Sequence, residues 1–215
     1  NRKADINEPE VGEDGKVVLI PEVAEALEVL GETGLMAAAM PEEVGGMSLP
    51  ATVSSAIFAW LHAANVGTTA YPMLTAGAAN LLIANGSEEQ VETWVKPMIE
   101  GRFFGTMCLS ETQAGSSLSD ITTKAVPQDD GTYRIFGNKM WISGGSHELG
   151  ENIVHLVLAR IPGSGPKKCA TMPPSAADID RIAHIEKSMQ PMMMSSVSGS
   201  AMMPISVVNL TMSMM

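Results

Sequence analysis

The chain has 215 residues, 45% of them hydrophobic and 4% aromatic, which is enough for one large domain or two small ones with a buried core. The net charge of −11 and the absence of a Lys/Arg cluster exclude the electrostatic signature of a nucleic-acid-binding protein. No stretch reaches the roughly 18 apolar residues that span a bilayer, and the polar start lacks a signal-peptide pattern, so we predict a cytoplasmic protein without a membrane span.

The first hundred residues have helical patterns. Pro21 opens a helix that Gly31 or Gly34 ends, and residues 40–50 form a loop. Two apolar helices, residues 51–64 and about 69–84, follow, and we expect both to be mostly buried because they carry few charges.

A capping box marks the start of the next helix. Ser87 and Gln90 have the spacing at which each side chain caps the other's backbone amide. The helix has an apolar stripe and ends at Gly101. The stripe consists of Val91, Trp94, Val95 and Met98.

After Gly101 the pattern changes to that of strands. Residues 105–110 and 151–161 are strand candidates, and residues 121–143 contain two strands around a turn at 129–132, with a second turn at Gly137-Asn138. Cys108 lies in such an apolar run, which favours a buried inert thiol. Cys108 and Cys169 form no CxxC pair, and the four histidines form no HxxxH or HExxH set, so we predict neither a disulfide framework nor a metal site.

The order of these elements predicts an α+β fold. We place an N-terminal helical domain, incomplete at its start, at residues 1–103, and a partial antiparallel, barrel-like middle β domain at 104–166. Residues 167–215 form an irregular tail, and residues 172–215 hold ten of the seventeen methionines. Such low-complexity sequence is typical of a disordered segment or of a reading-frame error, which sequencing of the gene across this stretch would decide.

Two short segments carry the chemical signal. Residues 109–117 read LSETQAGSS, whose small residues and hydroxyls allow a ligand to approach the backbone closely. About thirty residues later, residues 141–145 read WISGG, where a Trp at a strand end could cover a flat ring. Taken singly, a surface turn and a core Trp are the better interpretations of these segments.

Together, the two segments resemble the acyl-CoA dehydrogenase family. That family's middle β domain reads T-E-P-x-A-G-S-D and then N-G-x-K-x-W-I-T-N-G, and this chain has S-E-T-Q-A-G-S-S and then F-G-N-K-M-W-I-S-G-G. The resemblance covers about residues 17–166, including the helical stretch. Residues 147–160, HELGENIVHLVLAR, are similar to a branch with bacterial fatty-acyl-CoA and 3-methylmercaptopropionyl-CoA dehydrogenases.

The resemblance implies an FAD site. Ser110 would bond the polar edge of the flavin, Trp141 would lie against its ring, the Ser143 hydroxyl would point at N5, and Ser116 would bind the acyl-CoA substrate. Ser110 and Ser143 stand where the family has Thr, Thr112 where it has Pro, and Ser117 where it has Asp. The implied cofactor-binding residues are Met107, Leu109, Ser110, Gly115, Trp141, Ile142 and Ser143.

The implied reaction is α,β-dehydrogenation of an acyl-CoA thioester in fatty acid β-oxidation. An electron-transfer flavoprotein or a similar acceptor would take the electrons, and the parent enzyme would be a homo-oligomer. We name no catalytic residue, because the family's base lies in a C-terminal domain that we expect to be missing, and the counterpart of Glu111 is structural. We therefore expect this chain by itself to be inactive and to bind FAD weakly or not at all. Alternatives are an acyl-CoA oxidase or flavin monooxygenase of the same framework, or a non-functional truncated product.

Overall fold

The computed structural model describes residues 2–13, 17–129 and 132–162, and the backbone of two further strands. Apart from two two-residue strands near the start, the helices precede the strands along the chain, which confirms the predicted α+β class. The chain divides into two compact units. The first comprises Asn1–Thr106 and Ser143–Val154, and the second comprises Met107–Ile142 and His155–Met215.

The first unit opens with short elements and one amphipathic helix. Up to residue 50 its elements are α1 (Arg2–Ile6), β1 (Glu10–Val11), β2 (Val17–Val18), α2 (Pro21–Thr33) and 3-10 turns at Leu35–Ala37 and Glu42–Val44. β1 and β2 pair antiparallel. α2 begins at Pro21 and ends at Gly34, which takes a left-handed conformation with φ of 67° and donates its N–H to the carbonyl of Gly31. Both predicted ends of this helix are therefore confirmed.

The longest element, α3, spans Ala51–Asn85 and contains a break at Asn65, whose φ of −160° and ψ of 101° are not helical. The Asn65 side-chain oxygen accepts a hydrogen bond from the Thr68 amide at 3.0 Å, which caps the second half of the helix. The two predicted helices are thus present as the two halves of one bent element.

The two halves of α3 differ in burial. In the second half seven residues are buried, beginning with Thr69 and ending with Leu82. In residues 51–68 none is buried, and Trp60 is 80% exposed. The expectation that both helices are mostly buried is therefore wrong for the first, because apolar composition shows what a helix could bury and not which face its neighbours cover. No helix in the part of the chain that the structure describes is both long and apolar enough to cross a membrane.

The predicted capping box starts the next helical segment. The Gln90 amide donates to the Ser87 hydroxyl at 3.2 Å, and the Ser87 amide donates to the Gln90 side chain at 2.9 Å. The segment consists of α4 (Glu88–Gln90), a π-helical turn (Val91–Val95) and α5 (Lys96–Ile99). Gly101, with φ of 75°, follows its end, so the predicted start and stop are both confirmed.

The six strands described after Gly101 form two three-stranded sheets. They are β3 (Phe103–Cys108), β4 (Lys124–Pro127), β5 (Tyr133–Met140), β6 (Asn152–Leu158), β7 (Ile182–Ile185) and β8 (Met202–Leu210). One sheet has the order β3-β6-β7 and the other β4-β5-β8. β7 and β8 fall within residues 167–215, where we expected a disordered or out-of-frame tail. The rest of that stretch, with Cys169, lies outside the described residues.

The hairpin of β4 and β5 confirms its two predicted strands and overturns the turn predicted at Gly137-Asn138, while residues 130 and 131 of the other predicted turn lie outside the described residues. The two strands pair antiparallel, with Pro127 opposite Tyr133, on either side of the predicted turn at 129–132. Gly137 and Asn138, however, are not a turn but lie inside β5. The pairing of β5 with β8 shifts register between Ile135 and Gly137, so the glycine permits an irregularity in the strand.

The core of the second unit lies between its strands. Cys108 is buried in it, as predicted. Ile142 and Ile161 are partly buried and pack against this core. Its buried members are Cys108, Ala125, Tyr133, Ile135, Val157 and Ala159.

A close approach in the first unit yields a stability prediction. An added Cβ on Gly105 would lie 2.5 Å from the Cβ of Ala78 and 3.1 Å from the Cα of Thr75. We expect Gly105→Ala to lower the free energy of unfolding by about 1–3 kcal/mol in urea denaturation, the usual effect of overpacking. Gly77→Ala is the matched control, since nothing lies within 4 Å of its added Cβ. In this helix interior it should stabilise by about 0.5–1 kcal/mol, and a loss as large as at Gly105 would contradict the steric argument.

Candidate functional site

The loop that follows β3 folds back on itself through its backbone. The Glu111 amide donates to the carbonyl of Ala114 at 2.7 Å, and the Ala114 amide donates to the carbonyl of Glu111 at 3.2 Å. Beyond this tight turn, Gly115 and Ser116 are exposed. Gly115 and Ser116, two of the predicted ligand-binding residues, are therefore open to solvent, while hydrogen bonds fix the turn that precedes them.

The Glu111 side chain is the centre of the loop's polar contacts. Its carboxylate is buried, with the residue 4% exposed, and accepts five hydrogen bonds. Oε2 accepts from the Thr122 amide at 2.7 Å, the Thr122 hydroxyl at 2.8 Å and the Gln113 side chain at 2.6 Å. Oε1 accepts from the Thr123 amide at 3.1 Å and from Lys139 at 2.8 Å. One carboxylate thus joins both ends of the loop.

Lys139 supplies the positive charge for this carboxylate. The residue is 1% exposed, and its ammonium donates to Oε1 of Glu111 and, at 2.9 Å, to the carbonyl of Leu109. Burial lowers the pKa of Lys139, and the adjacent carboxylate of Glu111 opposes that shift. The ammonium therefore ties the beginning of the loop to the end of β5.

Burial acts on the carboxylate of Glu111 as well. By itself it raises the pKa of Glu111, but the hydrogen bonds from Lys139 and from residues 122 and 123 outweigh it. The pKa of Glu111 consequently lies well below its usual range. The carboxylate is ionised at neutral pH, where it completes a buried ion pair.

Two of the predicted cofactor-binding residues are brought together at this point. The Met140 amide donates to the carbonyl of Ser110 at 3.0 Å, which places Ser110 beside the strand end that carries Trp141. Trp141 has a positive φ of 61° and is 57% exposed. It is therefore not the buried core Trp that was the alternative interpretation.

The remaining predicted residues are distributed over both units. Met107, Leu109 and Ile142 are partly exposed members of the second unit. Ser143 is exposed in a turn and belongs to the first unit. In the loop, the Ser117 hydroxyl lies 3.1 Å from that of Ser119.

Sequence reasoning missed Lys139 and Arg160. Lys139 lies on the same inward-facing side of β5 as Tyr133 and Ile135, so the period-2 pattern places a charged residue in the core. This signal could have been recognised, because a buried lysine requires a partner. Arg160 donates to the carbonyls of Ser119 and, at 2.7 Å, Ile121, and so holds the far end of the loop.

His147 in the first unit is a packed residue. It is buried, and its ring makes edge-to-face contacts with Tyr71 and Phe104 at centroid distances of 5.2 and 5.0 Å. Its Nδ1 accepts a hydrogen bond from the Leu149 amide at 3.2 Å. His62, in α3, contacts the Phe58 carbonyl one turn earlier. Both histidines thus take part in local packing.

The low pKa of Glu111 predicts how stability depends on pH. An unfolded Glu titrates at about 4.3, so the folded carboxylate stabilises the protein above that value and loses this contribution as the pH falls through the lower folded pKa. We expect the difference in unfolding free energy between wild type and Glu111→Gln to shrink from about pH 5 to about pH 2 in urea titrations. Glu92→Gln, which breaks an exposed pair with Lys96, should show a small difference throughout. A Glu111→Gln difference that does not change with pH would contradict the assignment.

Comparison with known proteins identifies similar sequences and similar folds. Residues 8–102 match the family model for the acyl-CoA dehydrogenase N-terminal domain. The 3-methylmercaptopropionyl-CoA dehydrogenase of Ruegeria pomeroyi is 45% identical over 150 residues, which are 70% of this chain and 26% of that protein. Butyryl-CoA dehydrogenase from Megasphaera elsdenii superimposes with a TM-score of 0.65 at 24% identity, covering 87% of this chain and 48% of that one. An acyl-CoA dehydrogenase complexed with FAD from Bacillus anthracis gives a TM-score of 0.66 at 22% identity, covering 88% and 31%.

The fold is thus that of solved acyl-CoA dehydrogenases, with helices preceding a β region. The chain belongs to the acyl-CoA dehydrogenase family. It spans about a quarter of the length of the curated relatives that it matches. The resemblance stated from the two loops is confirmed, including the similarity to 3-methylmercaptopropionyl-CoA dehydrogenases.

Proposed function

We propose that this chain is part of an FAD-dependent acyl-CoA dehydrogenase that catalyses α,β-dehydrogenation of an acyl-CoA thioester. The observation that supports the proposal is the hydrogen bond from the Met140 amide to the Ser110 carbonyl, which joins the hydroxyl-rich loop to the strand end that is followed by the exposed Trp141. Membership of the acyl-CoA dehydrogenase family supports the reaction type.

The residues present fit a flat cofactor. An exposed aromatic ring offers a face for stacking, and an added Cβ at Gly115 would meet nothing within 4 Å, so the loop leaves room for a ligand. FAD, when bound, supplies the hydride acceptor of the reaction. Trp141 would cover the ring, and Ser110 would bond its polar edge. The other proposed cofactor-binding residues are Met107, Leu109, Gly115, Ile142 and Ser143.

For the substrate, we propose that Ser116 binds the acyl-CoA. We propose no residue as the base that takes the α-proton, because no Glu of the chain matches the base motif of the family. Glu111 is unsuited to that role, since its carboxylate is buried, ionised and already accepts five hydrogen bonds. We also propose an electron-transfer flavoprotein or a similar carrier as electron acceptor, and a homo-oligomeric parent enzyme.

A titration of the purified chain with FAD tests the proposal. The sequence leaves two outcomes open, weak FAD binding and none, and we propose the first. Flavin absorbance and fluorescence should therefore report weak but saturable binding. Trp141→Ala should weaken that binding about tenfold or more, since stacking on an aromatic side chain contributes about 1–3 kcal/mol. Trp60→Ala is the control, because Trp60 is exposed in the first unit and is not among the proposed contacts. Equal effects of the two substitutions, or the absence of saturable binding at any FAD concentration, would contradict the proposed site.

A further inference from the structure

The second unit contains a buried ion pair whose two residues are not among the proposed cofactor-binding residues. Glu111 and Lys139 are both buried, yet the ammonium of Lys139 also reaches the carbonyl of Leu109 at 2.9 Å. The next residue of the strand, Met140, bonds the carbonyl of Ser110. Two consecutive carbonyls of the loop are therefore held by two consecutive residues of β5.

Among the residues that the structure describes, the loop's other hydrogen bonds do not replace the pair. The hydrogen bonds between Glu111 and Ala114 are local to the turn and fix its shape, but they do not fix its position relative to β5. Arg160 fixes the far end of the loop near Ile121. Only the contacts of Lys139 and the single amide of Met140, among the hydrogen bonds described for this loop, join its beginning to the strand that carries Trp141.

We infer that Glu111 and Lys139 are positioning residues, which set the placement of Ser110 relative to Trp141 and thereby the shape of the flavin-binding surface. The inference rests on the proposed function, since it assigns a role within the same site. The ammonium of Lys139 donates hydrogen bonds to both the Glu111 carboxylate and the Leu109 carbonyl. An uncharged side chain of the same size cannot replace both of these contacts. The Glu111 carboxylate in turn favours the charged form of the buried Lys139 ammonium.

The test separates positioning from stability by means of a paired substitution. Lys139→Met alone leaves a buried carboxylate without its cation and destabilises the fold. Glu111→Gln combined with Lys139→Met removes both charges, so the double variant should regain most of the lost thermal stability. It still lacks the donor to Leu109, so its loop should be displaced although its fold is kept. If the double variant does not fold, the same measurements are made on Lys139→Arg, which keeps the positive charge but has a different length and donor geometry.

Two readouts are measured on the full chain. Hydrogen exchange of the Met140 amide reports its bond to Ser110, and it should be at least about tenfold faster in the double variant than in wild type. FAD titration should show affinity reduced by about ten- to a hundredfold, the range found when residues that orient the ligands of a metal site are removed. Arg102→Met, which removes an exposed cation in the first unit, should change neither readout.

The experiment distinguishes failure of the inference from failure of the proposed function. A double variant that is stable, with wild-type exchange at Met140 and wild-type FAD affinity, would show that the pair is merely structural and overturn the inference. If the wild-type chain binds no FAD, the proposed function fails for this chain, and the exchange of the Met140 amide alone decides the inference. Faster exchange in the stable double variant supports it in either case.

Discussion

Lys139→Met is expected to lower the free energy of unfolding by about 3–5 kcal/mol, the usual effect of removing one partner from a buried ion pair. The substitution fills a similar volume, so the loss arises from electrostatics rather than from a cavity. It leaves the Glu111 carboxylate, 4% exposed, without the cation that balances its burial. Four neutral N–H and O–H donors from Gln113, Thr122 and Thr123 remain and limit the loss. Urea denaturation at neutral pH measures it.

The exposed cation Arg102 provides the matched comparison. It also forms ion pairs, with Glu100 and Glu151, but these side chains are largely open to solvent. Exposed pairs contribute at most about 1 kcal/mol, so Arg102→Met should have a small effect in the same assay. Losses of the same size in the two variants would mean that burial does not determine the strength of the Lys139 pair.

Elements whose signals are local in sequence could be predicted. The capping box at Ser87 and Gln90 requires only residues three apart, and its two hydrogen bonds form as expected. Pro21 and Gly34 similarly mark the ends of α2 through their own backbone preferences. The strands of the hairpin follow from alternation and the turn between them. In each case residues close together in the sequence determine the local structure. A short segment of the sequence is therefore enough to predict it.

Features decided by distant residues could not be predicted in this way. The first half of α3 has the composition of a buried helix, but no described neighbour buries it, so Val53 and Trp60 remain exposed. Gly137 has the sequence signature of a turn, since Gly-Asn is common there, but strand pairing overrides it. Burial and pairing depend on which segments meet, and a single sequence does not specify this.

The candidate site shows the same division. The two motifs predict its residues because each motif is contiguous in sequence, and the hydrogen bond from the Met140 amide to the Ser110 carbonyl joins the two segments. The link between Glu111 and Lys139 spans 28 positions and was not foreseen. The sequence does contain a lysine at an inward-facing position of β5, which indicates that a buried partner exists but does not identify that partner as Glu111.

Gly137→Ala is expected to lower the free energy of unfolding by about 2–4 kcal/mol, through backbone strain and overpacking together. Gly137 has φ of 155°, a conformation that residues with a side chain rarely adopt. An added Cβ would also lie 2.3 Å from the hydroxyl oxygen and 2.8 Å from the Cα of Thr123. The second distance involves backbone, so a change of rotamer cannot relieve it.

Thr123 cannot move away without breaking other contacts, which is why the effect should be large. Its amide donates to Glu111 at 3.1 Å and its carbonyl accepts from Arg160 at 2.8 Å, so it is held on both sides. Thr123→Ala in the Gly137→Ala background should restore about 1 kcal/mol, because it removes the hydroxyl clash and leaves the backbone clash. Gly115→Ala, whose added Cβ meets nothing within 4 Å, is the control and should change stability by less than about 0.5 kcal/mol. Full restoration by Thr123→Ala would show that the side chain, and not the backbone of Thr123, opposes a residue larger than glycine in β5.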